Sequence, residues 1–146
     1  MFNNMLISIS EILGLIITSL VIGFIFMDNF PRKLAKKFNI KRLLYAALVV
    51  SPGIILHELM HKFVAIFFGL TATFKIFTLG IVIALVLKLI HSPFLLIAPG
   101  YVEIGEATTN LQIFFISFAG PFINLVLFLT ALFMLKRKGL KKNQLT

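Results

Sequence analysis

The residues best suited to chemistry lie in one short stretch, 57–61, which has the pattern His-Glu-x-x-His. On a helix, positions i and i+4 lie on one face, so His57 and His61 could offer two imidazole nitrogens to a single metal ion. Glu58, which follows the first histidine, could accept a proton from a water molecule bound to that metal. The pattern is typical of zinc hydrolases, although so short a motif also occurs by chance.

The surroundings of this stretch favour a metal site over a chance match. Two of the three histidines and one of the five acidic residues lie together inside an apolar segment. An ionisable side chain within a membrane costs several kcal/mol, so such residues usually have a function. Lys62 follows the second histidine directly, and it would have to reach toward the headgroup region or face a polar cavity.

The composition indicates an integral membrane protein. Of the 146 residues, 60% are hydrophobic, and the mean hydropathy is +1.06. Both values are far above those of soluble domains. The length fits one membrane-embedded domain over residues 1–146, and we predict a multi-pass protein of the cell membrane. The absence of cysteine excludes disulfides, thiolate zinc ligands and cysteine nucleophiles.

The net charge of +9 is concentrated in two segments, a basic loop at 28–42 and a basic tail at 136–146. This arrangement predicts contacts with the anionic headgroups of the lipid bilayer and no nucleic-acid partner. By the positive-inside rule, both segments should be cytoplasmic, which requires an even number of crossings between them. Three full spans would break that parity, so we expect the stretch 74–110 to be re-entrant.

Apolar stretches separated by polar residues predict an all-α membrane protein with three to four transmembrane helices and a short re-entrant β-hairpin. The first span contains Glu11 near its start, where the helix dipole favours an acid and headgroups are within reach. Pro52 precedes the histidine motif and could kink the second span. The predicted apolar stretches are 5–27, 43–70, 74–90 and 111–135.

The hairpin is predicted within 91–106, because the prolines and glycines of this stretch argue against a helix. The runs 94–97 and 101–104 favour two strands about a Pro-Gly turn. Extended backbone at membrane depth persists only where protein or a water-filled cavity satisfies its hydrogen bonds. We therefore expect the hairpin to lie beside the motif, where its open edge could pair with an extended substrate.

Three sequence elements, in this order, resemble the site-2 protease family of intramembrane zinc metalloproteases. The stretch 57–61 matches the family's HExxH, and residues 98–104 are similar to its membrane-embedded hairpin. Residues 120–124, Gly-Pro-Phe-Ile-Asn, match its G-P-x-x-N helix motif. The resemblance covers about residues 43–135. The family's hairpin tends to lie on the cytoplasmic side, which would place both basic segments outside, contrary to the charge rule.

The resemblance implies that the protein binds Zn²⁺ and cleaves a membrane protein substrate within the bilayer. It implies that His57 and His61 are metal ligands and that Glu58 is the general base. It also implies that Asn124 is an active-site residue near the substrate carbonyl.

The family's third ligand is an aspartate from a later Asp-Gly helix, and no such segment occurs in these 146 residues. The only aspartate, Asp28, lies in the basic loop. A catalytic zinc ion normally has three protein ligands. The candidates are His91, Glu103 and Glu106, or else a residue supplied by a partner or second subunit.

Three functions therefore remain open. The leading hypothesis is an intramembrane zinc metalloprotease-like protein whose third ligand is missing from this chain. The alternative is a truncated, catalytically inactive relative that acts as a membrane-protein binding or regulatory module. A small transporter or assembly factor that uses the histidines as an ion pathway is the third.

Overall fold

The computed structural model describes residues 7–29, 39–92, 99–105 and 109–137. Within these ranges the chain is mostly helical, with one small antiparallel strand pair, and the predicted fold class is confirmed. In chain order the helices and strands are α1 (Ile9–Phe26), α2 (Ile40–Phe67), β1 (Ala72–Ile76), α3 (Thr78–Leu89), β2 (Gly100–Ile104) and α4 (Asn110–Arg137).

Three helical segments are long and apolar enough to cross a membrane, which indicates membrane association. They have hydropathies of 2.3, 1.7 and 2.1, and they cover Ile9–Asn29, Ile40–Phe67 and Asn110–Lys136. The helix α3 has only 12 residues. At 1.5 Å per residue it is roughly 18 Å long, too short for a hydrocarbon core of about 30 Å.

The first two long helices each begin at a side chain that caps their free N–H groups. Ser8 Oγ accepts a hydrogen bond from the N–H of Glu11 at 3.3 Å, and the Glu11 carboxylate accepts one from the N–H of Ser8 at 2.7 Å. This reciprocal arrangement is a capping box. At the start of α2, Asn39 Oδ1 accepts from the N–H of Lys41 at 2.7 Å. Both helix starts are therefore determined by local sequence.

Helices α1 and α2 pack antiparallel at close range. A Cβ added to Gly23 would lie 2.7 Å from both Ala47 Cβ and the Leu43 carbonyl oxygen. The backbone of α1 at Gly23 is therefore in direct contact with α2. At the far end of α1, an Arg42 guanidinium N–H donates to the Met27 carbonyl oxygen at 2.6 Å. Small residues and an end cap therefore hold α2 against α1.

The predicted strand 101–104 is confirmed, and it pairs with a strand, β1, that is not predicted from the sequence. The predicted strand 101–104 lies within β2, which pairs with β1 from Ala72↔Ile104 to Ile76↔Gly100. The other predicted strand, 94–97, falls outside the described residues. Within β1, Phe74 is buried and Lys75 is exposed, a strand-like alternation inside what was predicted to be one apolar segment.

The strand register shows which backbone groups point away from the pair. Thr71 and Phe77 bond across the sheet to Gly105 and Pro99, with N···O distances of 2.8 and 3.0 Å. Because bonded pairs alternate along an antiparallel ladder, the backbone groups of Phe74 must face outward. Accordingly, the N–H of Phe74 donates to Glu11 Oε1 at 2.7 Å. The outer edge of β1 is thus covered by α1, and among the described residues the outer edge of β2 has no partner strand.

The segment from β1 to β2 starts and ends at the strand pair. Helix α3 runs alongside α1 until Lys88 donates to the Ile25 carbonyl and pairs with Asp28, both at 3.0 Å. The chain then returns, because Gly100 lies opposite Ile76. The described ends of the long helices, at Phe26, Ile40 and Arg137, therefore lie at one end of the bundle.

Candidate metal centre

The two histidines of the motif face α4 from successive turns of α2. Their ring centroids lie 4.7 Å apart, and the ring planes are inclined at 83°. Both rings point toward the stretch of α4 that contains Gly120. The i, i+4 spacing therefore gives the predicted juxtaposition, and α4 closes one side of it.

The ring nitrogens Nδ1 of both histidines are occupied by α4. His61 Nδ1 lies 2.6 Å from the Ile116 carbonyl oxygen, which can only accept a hydrogen bond. Nδ1 of the neutral ring must therefore carry the proton, which leaves the lone pair on Nε2. His57 Nδ1 lies 3.1 Å from the Asn124 carboxamide nitrogen. When the oxygen and nitrogen of this amide are exchanged by a 180° rotation, the oxygen accepts a hydrogen bond from His57 Nδ1. Such partners orient histidines that bind metals through the other nitrogen.

The two Nε2 atoms converge on Gly120. A Cβ built on this glycine would lie 2.6 Å from His57 Nε2 and closer still to His61 Nε2. Without a side chain on Gly120, both Nε2 atoms come close to the backbone of α4. The lone pair of His61 Nε2 is available there, and that of His57 Nε2 is available when the oxygen of the Asn124 amide faces His57 Nδ1. Imidazole nitrogens are common zinc ligands, so His57 and His61 are the candidates to hold such an ion.

The other two predicted site residues lie nearby. Glu58 is half-buried on α2, next in the chain to His57. Asn124 contacts His57 Nδ1, so its amide is placed to orient an imidazole rather than only to meet a substrate.

The candidate third ligands that lie within the described residues, His91 and Glu103, are not brought to the histidines. Among the described residues, no group of three or more His, Asp or Glu side chains is arranged to hold a metal. His91 is exposed beyond the end of α3, with a positive φ of 52°. Glu103 is exposed and pairs with Lys75 at 3.4 Å, and Asp28 pairs with Lys88. Glu106 lies outside the described ranges.

Ile116 had not been predicted as a functional residue, and Gly120 had been noted only as part of a helix motif. Together with Asn124 they are spaced four residues apart on α4, so they share one face of the helix. That spacing matches the spacing of the two histidines on α2. The same four-residue spacing on α2 and α4 is the sequence signal that could have indicated that these two helix faces pack together.

The chain is similar to the "Putative zinc metalloprotease" of Methanocaldococcus jannaschii. The two are 35% identical over 118 residues, which is 80% of this chain and 58% of that protein. This chain is a distant relative of that protein. This chain spans somewhat more than half of the relative's length. No family model and no solved structure matches this chain.

We expect Asn124→Ala to weaken zinc binding by roughly 10- to 100-fold, because His57 would lose the partner of its Nδ1. The measurement is zinc affinity of the purified protein by competition with a chelator. Thr130→Ala is the matched control: it also removes a polar side chain from an exposed position on α4, where Thr130 Oγ1 donates only to the Val126 carbonyl at 2.7 Å. Equal affinities in the two variants would contradict the assigned contact.

Proposed function

We propose that this chain is the metal-binding core of an intramembrane zinc metalloprotease of the site-2 protease type, which hydrolyses peptide bonds of membrane protein substrates. The observation that carries the proposal is the convergence of His57 Nε2 and His61 Nε2 on the bare backbone of Gly120. The similarity to a protein named as a zinc metalloprotease and the three helices long enough to cross a membrane support it.

In this proposal, His57 and His61 hold zinc through Nε2, while Asn124 and the Ile116 carbonyl fix their rings. When bound, zinc supplies Lewis-acid polarisation of a peptide carbonyl and acidification of water. Glu58 accepts the proton of the attacking water and passes it to the leaving amine nitrogen. Its half-buried position beside the ligands is suited to that role.

The third zinc ligand comes, in this proposal, from a partner or second subunit or from a further segment of the protein. A catalytic zinc site takes three protein ligands and keeps one open position. The chain corresponds to 58% of its relative, so a substantial part of that protein has no counterpart here. Helix α4 leaves room for such a contribution, since only 11% of its most apolar stretch is buried.

We propose that the protein is a multi-pass protein of the cell membrane with its basic end in the cytoplasm. The segments 28–42 and 136–146 hold 11 of the 14 lysines and arginines, and the described helix ends that lead into them, at Phe26, Ile40 and Arg137, lie at the same end of the bundle. The positive-inside rule assigns that end to the cytoplasm, where anionic headgroups attract it. The sheet and the N-terminal end of α1 then lie toward the opposite side.

An extended substrate segment would bind at β2. Covering of β1 by Glu11 leaves the outward backbone groups of β2 as the available edge among the described residues. An added strand gains main-chain hydrogen bonds there, and the strand pair would keep the scissile region unwound.

Metal content of the purified full chain tests the proposal. We expect His57→Ala and His61→Ala to reduce bound zinc to roughly a tenth of the wild-type amount or less, because each removes one of two ligands. The matched control is His91→Asn, which removes an exposed histidine while keeping a residue type that tolerates positive φ. Zinc retained in both motif variants, or lost equally in the control, would exclude the proposed site.

The alternative is an inactive relative that binds membrane proteins without cutting them. The absence of a third ligand among the described residues is the observation that favours it. A model transmembrane substrate separates the two functions. Zinc-dependent cleavage selects the protease, whereas zinc binding and substrate capture with no cleavage select the inactive relative.

A further inference from the structure

An ion pair buried inside the bundle joins α1 to the helix that carries the motif. The Lys62 ammonium pairs with Glu11 Oε1, and the side chains are only 2% and 4% exposed. Glu11 Oε1 also accepts from the N–H of Phe74, and Oε2 accepts from the N–H of Ser8, each at 2.7 Å. The carboxylate thus accepts hydrogen bonds from three groups, and the ammonium is buried against it.

Lys62 has a second potential partner on its own helix. It lies four residues after Glu58, so the two side chains share one face of α2. Glutamate placed four residues before lysine is the favourable order for a helical ion pair. An ammonium in apolar surroundings needs a counter-ion, because an unpaired buried charge is strongly destabilising.

The other acidic groups of the described residues are engaged elsewhere. Asp28 pairs with Lys88 near the opposite end of α1, and Glu103 pairs with Lys75 on the exposed face of the sheet. If Glu11 were lost, the local geometry would direct the Lys62 ammonium to Glu58.

We infer that Glu11 is a positioning residue that holds Lys62 away from Glu58, and this inference rests on the proposed function. A Glu58–Lys62 ion pair would occupy the carboxylate oxygen that must accept the water proton. With Lys62 held by Glu11, that oxygen stays available. Glu11 precedes the general base Glu58 by 47 positions in the sequence. In the proposed set of contacts, only the side chain of Lys62 lies between the two carboxylates.

Turnover by the zinc-loaded protein tests this role in three variants. Glu11→Gln keeps an oxygen for the Phe74 N–H but loses the charge, so Lys62 moves to Glu58 and kcat falls roughly tenfold. Lys62→Met leaves kcat unchanged although it lowers the Tm. The double variant recovers kcat to within about twofold of wild type, since no ammonium remains to reach Glu58.

A purely structural ion pair gives a different result. Both single variants would then lower the folded fraction, and kcat per bound zinc would be equal in all three variants. That outcome overturns the inference, as does a double variant that stays as slow as Glu11→Gln. If Glu11→Gln does not fold, Glu11→Asp replaces it, because its shorter side chain weakens the hold on Lys62 while keeping the charge. The same rescue by Lys62→Met is expected.

A second measurement needs no substrate. The Tm effects of Glu58→Gln and Lys62→Met should add in the presence of Glu11. In the Glu11→Gln background they should deviate from additivity by about 2 °C or more, which reports the new ion pair. Additive effects in both backgrounds overturn the inference. This double-mutant comparison of Tm values does not depend on cleavage. It therefore tests the role of Glu11 even in a protein that has no protease activity and fails the turnover assay.

Discussion

Gly120→Ala should release bound zinc from a protein that remains folded. The added methyl group would lie 2.6 Å from His57 Nε2 and nearer to His61 Nε2. The nearest atoms it meets belong to the two imidazoles, so at least one ring must turn out of the shared space. Steric crowding of this kind costs about 1–3 kcal/mol, which corresponds to roughly a 5- to 150-fold loss of zinc affinity.

Gly53→Ala is the matched control, since it is the same change in a helix at a position where an added Cβ has nothing within 4 Å. Alanine also favours helix over glycine by about 1 kcal/mol, so neither variant should lose helicity. Zinc affinity by chelator competition and far-UV circular dichroism together give the answer. Wild-type affinity in Gly120→Ala would mean that the metal does not lie between the two rings.

Glu58→Gln should abolish cleavage while leaving bound zinc in place. Glutamine keeps the size of the side chain but cannot accept and return a proton, and general acid–base catalysis contributes about 10²- to 10⁴-fold. The measurement is cleavage of a model transmembrane substrate, read together with zinc content. A loss of that size with unchanged zinc separates the base from the ligands.

The control for this change is Glu103→Gln on β2, where the carboxylate is exposed and pairs with Lys75 of the neighbouring strand. An exposed pair of this kind contributes little, so cleavage should change by less than about threefold. Equal loss in both variants would point to a general effect of charge on substrate binding. Full activity in Glu58→Gln would remove Glu58 from the mechanism.

The parts of the site that depend on local spacing could be predicted from the sequence. The histidine pair follows from the helical repeat, and the strand 101–104 follows from its flanking turn residues. The partner of that strand was not predictable in the same way. It lies in 72–76, and the short helix α3 separates it from β2, so the pairing joins strands that are not neighbours in the sequence.

Long-range contacts account for the rest. The sequence suggested that Lys62 reaches headgroups or a polar cavity, whereas it meets Glu11, a residue 51 positions earlier. Gly120 was recognised as part of a motif, but its role emerges only when α4 lies against α2 in one particular alignment. Such alignment is a property of packing between helices, and apolar patterning does not encode it uniquely.

The covering of one sheet edge by Glu11 also limits how copies of the protein can associate. A sheet with two open edges can add strands from neighbouring chains without end, which leads to fibrous aggregates. Here, among the described residues, only β2 offers an open edge. Edge-to-edge pairing must therefore stop at two molecules, and an occupied β2 can recruit no second copy.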